Sequence, residues 1–149
     1  MKIQIISVGK LSTDISAIVN RYYTMINWSI KEIELAHSKK NTPEEIKEDE
    51  TKSIFAKLNN NAILIVLDEN GKQQTSKQLA DFFANSMMDA KNIDFVIGGA
   101  YGLHESLLKR CNIKLSLSKM TFPHQFAKLL LIEQIYRAQT LLENHPYHK

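Results

Sequence analysis

Cysteine is almost missing from this 149-residue chain: Cys111 stands alone, which excludes a disulfide framework and any zinc site built on cysteine. Glycine and proline together number eight, too few for a linker or a disordered tail. No apolar run comes near the ~20 residues that a membrane span needs. The opening Met1-Lys-Ile-Gln-Ile-Ile-Ser-Val8 has no long apolar core of the kind a secretory leader carries. These absences point to a soluble protein of a reducing compartment, expected to be cytoplasmic and without a membrane partner.

What is present is ordinary in amount and uneven in placement. Hydrophobic residues at 44% and charged residues at 23% are globular values, and 149 residues can bury one substantial core. The net charge is only +3, yet residues 104–149 hold seven Lys/Arg against three Glu, a net of +4 that leaves −1 for the rest. A basic C-terminal third suits a phosphate-bearing partner, although a fluctuation of this size is common and does not decide the matter alone.

Two periodicities alternate along the chain. Residues 2–8 form a β-rich run, and residues 13–26 carry Ile15, Ile18, Val19 and Tyr22 on one face at helical spacing. Residues 29–35 alternate as a strand does. Thr42-Pro43-Glu44-Glu45 reads as an N-cap, a proline at the first helical position and acids in the first turn. The charged helix that follows, about 43–58, is read as a solvated face. The continuous run 62–67 (AILIVL) is a strand covered on both sides. A helix over 75–90, a strand over 93–97, a short helix over 103–110, a strand over 113–117 and a long helix over 123–143 complete the pattern. Five strand–helix repeats imply an α/β domain with a five-stranded, mainly parallel sheet and helices on both faces.

In such sheets ligands bind beyond the carboxyl ends of the strands, which selects the expected loops 68–72, 98–102 and 116–122. Gly98, Gly99 and Gly102 allow close approach of backbone to a ligand, though a plain tight turn fits them as well. A phosphate-binding Gly-x-Gly-x-x-Gly is lacking after the first strand and a P-loop is lacking throughout, which disfavours an ordinary dinucleotide site and phosphoryl transfer. His104, His124, His145 and His148 crowd into the last third, with His37 apart. None has the spacing of a metal-binding motif, so no metal is expected. Pro146 stops helix continuation, leaving Tyr147 and His148 on an extended tail that is either frayed or a lid over a site. The last helix is apolar on more than one face, as a helix at a dimer interface is. Glu133 and Arg137 are an i,i+4 pair worth roughly 0.3–0.5 kcal/mol if exposed, and Arg137 is equally suited to face an RNA phosphate.

Four segments in order resemble one family. They are Phe95-Val-Ile-Gly-Gly-Ala-Tyr-Gly-Leu103, Leu115-Ser-Leu-Ser-Lys-Met-Thr-Phe-Pro-His-Gln125, Leu131-Ile-Glu-Gln-Ile-Tyr-Arg-Ala138 and the terminal His145-Pro-Tyr-His-Lys149. Together they resemble the RlmH family, the SPOUT-class methyltransferases that act on N3 of a pseudouridine in bacterial 23S rRNA, and the likeness extends over the whole chain. The resemblance implies a single SPOUT-type domain over 1–149, a C-terminal trefoil knot and a homodimer. It implies S-adenosyl-L-methionine as cofactor, held mainly by backbone at Leu67, Gly99 and the loop Leu117, Ser118, Lys119, Met120, Thr121 and Phe122. It also implies, as substrate, the pseudouridine at conventional position 1915 in helix 69 of 23S rRNA within the assembled ribosome.

Methyl transfer to an imide nitrogen profits from a general base, by roughly 10²–10⁴-fold. His148 is the expected base, Tyr147 the residue that stacks on or orients the target ring, and Arg137 and Lys149 the phosphate-holding cations. The family's last motif ends in arginine where Lys149 stands here, so charge is kept and the planar fork is lost. A non-catalytic RNA-binding dimer and a methyltransferase for a different RNA position are the competing expectations.

Overall fold

The alternating apolar and amphipathic stretches fold into five strands and five helices, seen in a computed structural model that describes residues 1–148. In chain order these are β1 (Lys2–Val8), α1 (Thr13–Met25), β2 (Ser29–Leu35), α2 (Pro43–Phe55), β3 (Ala62–Gln73), α3 (Ser76–Met88), β4 (Asn92–Ile97), α4 (Glu105–Arg110), β5 (Ile113–Ser116) and α5 (His124–Leu142). The strands form one sheet of order β2-β1-β4-β3-β5, and every ladder is parallel. A parallel sheet sends all its carboxyl ends to one edge, so the ends of β1, β4, β3 and β5 lie side by side there.

Both faces of the sheet are covered. Ile3, Ile5, Ile93 and Phe95 pack on one side with Val19 of α1, Phe83 of α3 and Leu131, Ile132 and Ile135 of α5. Ile6, Val8, Leu64, Val66 and Val96 pack on the other with Ile54 of α2 and Leu107 of α4. Residues that alternate along β1 and β4 thus feed two cores, which leaves both strands rich in buried apolar residues, with Gln4, Ser7 and Asp94 as their buried polar positions.

The helix starts follow the caps expected from the residues. Thr42 forms a full capping box with Glu45, with Pro43 at the first turn, and Thr75 does the same with Gln78. At the other end of α5, Asn144 adopts φ 55°. The His145 N–H then donates to the Thr140 carbonyl at 2.8 Å and the Asn144 N–H to the Leu141 carbonyl at 3.3 Å. This Schellman arrangement reverses the chain, so the tail turns back along α5.

Two expectations change, and the second apolar face expected of the last helix is present. The segment 68–72 is not a free loop, because β3 continues to Gln73 through a bulge at which Leu67 and Lys72 both oppose Leu115 of β5. Gly71 makes this possible: a Cβ there would stand 2.6 Å from the Lys114 carbonyl oxygen. The charged helix ends at Phe55, and its charge run is not wholly solvated, since Glu50 is buried at 5% exposure. Finally, α5 is covered on one side and leaves Phe126, Leu130 and Leu142 exposed.

One buried cation ties the sheet edge to α5. Lys128 is 0% exposed and pairs with Glu32 and, at 2.9 Å, with Glu34, both on edge strand β2. Beside them Tyr23 is half-buried with its hydroxyl shielded from water, which pushes its phenol far above the ordinary range, and Glu32 adds to the effect.

Candidate active site

Three backbone features meet at the carboxyl edge of the sheet. After β4, the loop 98–102 closes on itself through a bridge between Gly99 and Gly102, in which the Gly102 N–H donates to the Gly99 carbonyl at 3.0 Å. Gly102 takes φ +79°, a left-handed conformation that favours glycine. A Cβ on Gly98 would stand 2.9 Å from the Leu103 side chain. After β5, the loop 117–122 holds its polar side chains on its own backbone. The Ser116 hydroxyl donates to the Ser118 carbonyl at 2.8 Å, and the Met120 N–H donates to Ser118 Oγ at 3.0 Å. The Thr121 hydroxyl donates to Glu69 in the bulge of β3. A cleft of about 480 Å³ lies between bulge and loop, lined by Glu69, Asn70, Gly71, Gln73 and Lys119.

The structure therefore groups the expected cofactor residues at one edge. Leu67 pairs with Leu115 at the mouth of the third loop, and Leu117 and Ser118 are half-buried. Lys119, Met120, Thr121 and Phe122 face solvent. The chemistry on offer is main-chain donors and acceptors beside small and apolar side chains. Such a surface can hold a purine and a ribose and has little means of activating a nucleophile.

The titratable side chains collect in two other places. Sequence order separates His37 from the remaining histidines, yet its ring stands 5.8 Å from that of His124, edge to face. Both Nε2 atoms point into the space over Gly9, within 2.6 and 2.8 Å of where a Cβ would sit. Gly9 has φ +93°. His124 Nε2 is buried and has no hydrogen-bond partner among the described residues. Behind His37, the buried Glu50 accepts the Ser38 N–H at 3.1 Å.

The second collection is the tail. Tyr147 packs edge to face on Tyr136 at 4.8 Å, with the Arg137 guanidinium 4.8 Å over its ring. Its hydroxyl donates to Glu133 Oε1 at 3.2 Å and lies 3.4 Å from the Tyr22 hydroxyl. The same carboxylate oxygen accepts from Arg137 Nε at 3.0 Å and Nη2 at 2.6 Å. Burial pushes the Tyr147 phenol well above its ordinary value, with Tyr22 and Glu133 adding to the shift. It therefore stays a proton donor and cannot serve as a base. His148 Nδ1 lies 3.2 Å from Arg137 Nη1. Arginine only donates, so Nδ1 accepts and the neutral ring carries its proton on Nε2. Arg137, Tyr147 and His148 are thus brought together on α5. Their hydrogen bonds run to α1 and α5 and, among the described residues, none reaches the loops 98–102 or 117–122. Lys149 lies outside the described residues.

One group has the ligand types of a metal site: Glu44, Glu48 and His104. His104 Nδ1, however, accepts the Ser106 N–H at 3.2 Å as the cap of α4, so the ring proton sits on Nε2, facing the carboxylates. A metal on Nε2 would require the other tautomer, with the proton on Nδ1, and the α4 cap bond from the Ser106 N–H would be lost. The group is read as hydrogen bonding at the surface.

A family model described as "Predicted SPOUT methyltransferase" matches residues 1–148. "Ribosomal RNA large subunit methyltransferase H" of Ureaplasma urealyticum is 43% identical, and the protein of the same name from Clostridium perfringens 38% identical, each over the full length of both chains. The chain belongs to the RlmH family of SPOUT methyltransferases. Solved structures agree in fold. A putative RNA methyltransferase from Bacillus anthracis superposes with a TM-score of 0.56 at 13% identity, covering 97% of this chain and 96% of that one. The SpoU methyltransferase AviRb from Streptomyces viridochromogenes, solved with the cofactor AdoMet, gives 0.50 at 11% identity, covering 93% and 58%.

As a SPOUT methyltransferase this RlmH-family chain draws its methyl group from S-adenosyl-L-methionine. The carboxyl-edge loops fit that group: Gly99 and the loop 117–122 offer main chain at this edge, and the Ser116, Ser118 and Thr121 hydroxyls are already engaged within the protein. No helix among the described residues is long and apolar enough to cross a membrane.

Proposed function

We propose that this chain methylates N3 of the pseudouridine at conventional position 1915, in helix 69 of 23S rRNA, within the assembled ribosome. The observation that carries the reading is the full-length match, at 38–43% identity, to relatives named as large-subunit ribosomal RNA methyltransferases. In this reading residues 1–149 work as one SPOUT-type domain with a C-terminal trefoil knot, in the cytoplasm and without a metal. Leu67, Gly99 and residues 117–122 hold the cofactor. Bound there, S-adenosyl-L-methionine supplies an electrophilic methyl group on a sulfonium.

The chain's own part is to hold the target base and remove its N3 proton. Tyr147, a neutral phenol with its ring already against Tyr136, is suited to orient the base. Arg137 and Lys149 are suited to hold phosphate. His148 is suited to take the proton, but its Nδ1 is engaged by Arg137. Transfer of the guanidinium to an RNA phosphate would free that lone pair, so substrate binding itself would unmask the base.

We read the enzyme as a homodimer. Within one protomer the tail residues and the cofactor loops form separate groups, while Phe126 and Leu130, one turn apart on α5, are exposed. A second copy that brings its tail to the loops would join the two halves of the site. With a charge of only +3, affinity for naked RNA is expected to be weak. A preformed ribosomal surface would then be needed.

The deciding experiment is mass spectrometry of 23S rRNA from a strain lacking this gene. Loss of the methyl on the helix 69 pseudouridine, restored by the wild-type chain, is expected; an unchanged methyl would sink the reading. His148→Ala should retain cofactor affinity and lose 10²-fold or more in turnover, and full turnover would remove His148 as the base. Mixing inactive Gly99→Ala and His148→Ala proteins should restore part of the activity if the site spans two copies.

A further inference from the structure

Glu50 is a buried carboxylate that the assignments above leave without a task. It sits on α2, where Thr51 and Ile54 are the other buried residues, and is itself 5% exposed. Its Oε1 accepts one hydrogen bond, from the Ser38 N–H at 3.1 Å, and lies 3.8 Å from His37 Nδ1. Its Oε2 accepts none from any described residue, and no described lysine or arginine comes within ion-pair distance. A carboxylate so far removed from water ordinarily has a cation or several donors around it.

The open oxygen is aimed. It lies 2.9 Å from where a Cβ on Gly99 would stand, with Val8 Cγ1 3.3 Å from the same point. The direction is therefore toward the glycine loop at the carboxyl edge, where any larger residue than glycine would press on the carboxylate. On the reading that this edge holds S-adenosyl-L-methionine, the ligand that arrives there is cationic, carrying a sulfonium and an ammonium. Its demethylated product keeps the ammonium and loses the sulfonium charge.

We propose that Glu50, through its open Oε2, is the binding residue for the cationic portion of the cofactor, and so discriminates the methyl donor from neutral adenosine ligands. The inference rests on the cofactor assignment above. It adds a side-chain contact to a site otherwise built of backbone. Its position on a helix before the third strand, far in sequence from the family's four recognisable segments, kept it inside a charge run that reads as solvated.

The sign of the kinetic effect follows from where the charge goes. The sulfonium charge is lost as the methyl leaves, so a carboxylate facing it favours the bound reactant over the transition state. Removing it should raise KM without lowering kcat. A carboxylate facing the ammonium, whose charge is the same throughout, would likewise act on KM alone.

The test is calorimetric titration of the full-length protein and its Glu50→Gln variant with three probes: S-adenosyl-L-methionine, S-adenosyl-L-homocysteine and methylthioadenosine, which has neither charge. Glutamine keeps an oxygen for the Ser38 N–H. Affinity of the variant for S-adenosyl-L-methionine should fall about 10- to 100-fold, the range for hydrogen bonds to charged groups, with methylthioadenosine unchanged. An equal fall for the homocysteine product assigns the contact to the ammonium, and a fall confined to the methyl donor assigns it to the sulfonium; either supports the proposal. Unchanged affinity for all three, or an equal loss that includes methylthioadenosine, overturns it. If Glu50→Gln does not fold, Glu50→Asp, which keeps the charge but withdraws it, should show the same ranking of the three probes. Failure of the wild-type protein to bind S-adenosyl-L-methionine would instead remove the assignment on which the inference stands.

Discussion

Glu133→Gln isolates what holds the tail to α5. One carboxylate oxygen accepts from Arg137 Nε, Arg137 Nη2 and the Tyr147 hydroxyl. The substitution keeps an acceptor of the same shape and removes the charge. An exposed i,i+4 pair is worth about 0.3–0.5 kcal/mol and a hydrogen bond to a charged group about 1.5–3 kcal/mol. The side chains of Glu133 and Arg137 are 15% and 24% exposed, so the pair falls between these limits. A loss of about 1–1.5 kcal/mol is expected, a fall of roughly 3–5 °C in Tm for a domain of this size. The tail should loosen more than the core, because the polar contacts of Tyr147 and His148 with α5 run through Glu133 and Arg137, leaving the Tyr136 ring as the remaining contact of Tyr147 with that helix. Urea denaturation with hydrogen exchange of the tail amides reads both effects. Loss of tail protection with a small global change is the expected result. An unchanged exchange rate at 145–148 would refute the idea that this carboxylate pins the tail.

Other outcomes follow from the same geometry. The Tyr147 phenol has a raised pKa in the folded state, so its contribution is fully present below the unfolded value of about 10 and is lost only as pH rises through the higher folded value; ultraviolet titration should find one tyrosine on the tail still protonated at pH 10. Lys128→Met keeps the volume but strands Glu32 and Glu34, and should cost about 2–4 kcal/mol in urea denaturation. The further changes Glu32→Gln and Glu34→Gln should recover most of that loss, whereas a stable single variant would show the pair to be dispensable. Gly99→Ala places a Cβ 2.9 Å from Glu50 Oε2, and should weaken cofactor binding at least tenfold while circular dichroism stays unchanged.

The two periodicities were enough to place every element, because strands that feed cores on both faces are predominantly apolar and the helices between them carry capping residues such as Thr42 and Thr75. What they could not supply was the bulge in β3. Asp68-Glu69-Asn70-Gly71 has the composition of a turn, and only the pairing of Lys72 with Leu115 beyond it shows that the strand resumes. The loops proposed to hold the cofactor were selected by the strand-end rule together with the family resemblance. The His37–His124 pair was not, since 87 positions separate the two in sequence and nothing local to His37 marks it. Glu50 was hidden for a different reason: in a run of Glu, Lys and Asp a single inward-facing acid has no periodic signature, because burial there is decided by what stands across the sheet.

Glycine stands just past the ends of both β1 and β4. Adjacent strands in a parallel sheet bring Gly9 and Gly99 to the same edge, and each is crowded by a titratable side chain from elsewhere: His37 and His124 over Gly9, Glu50 over Gly99. At Gly9 the left-handed φ already favours glycine. At Gly99 no such φ is present, so the requirement is spatial, and it comes from Glu50. A glycine kept for space next to a buried carboxylate is a joint feature, and changing either partner should disturb the same ligand. Gly99→Ala and Glu50→Gln should therefore combine less than additively on cofactor affinity. Strict additivity would mean that the carboxylate and the glycine loop serve the cofactor independently.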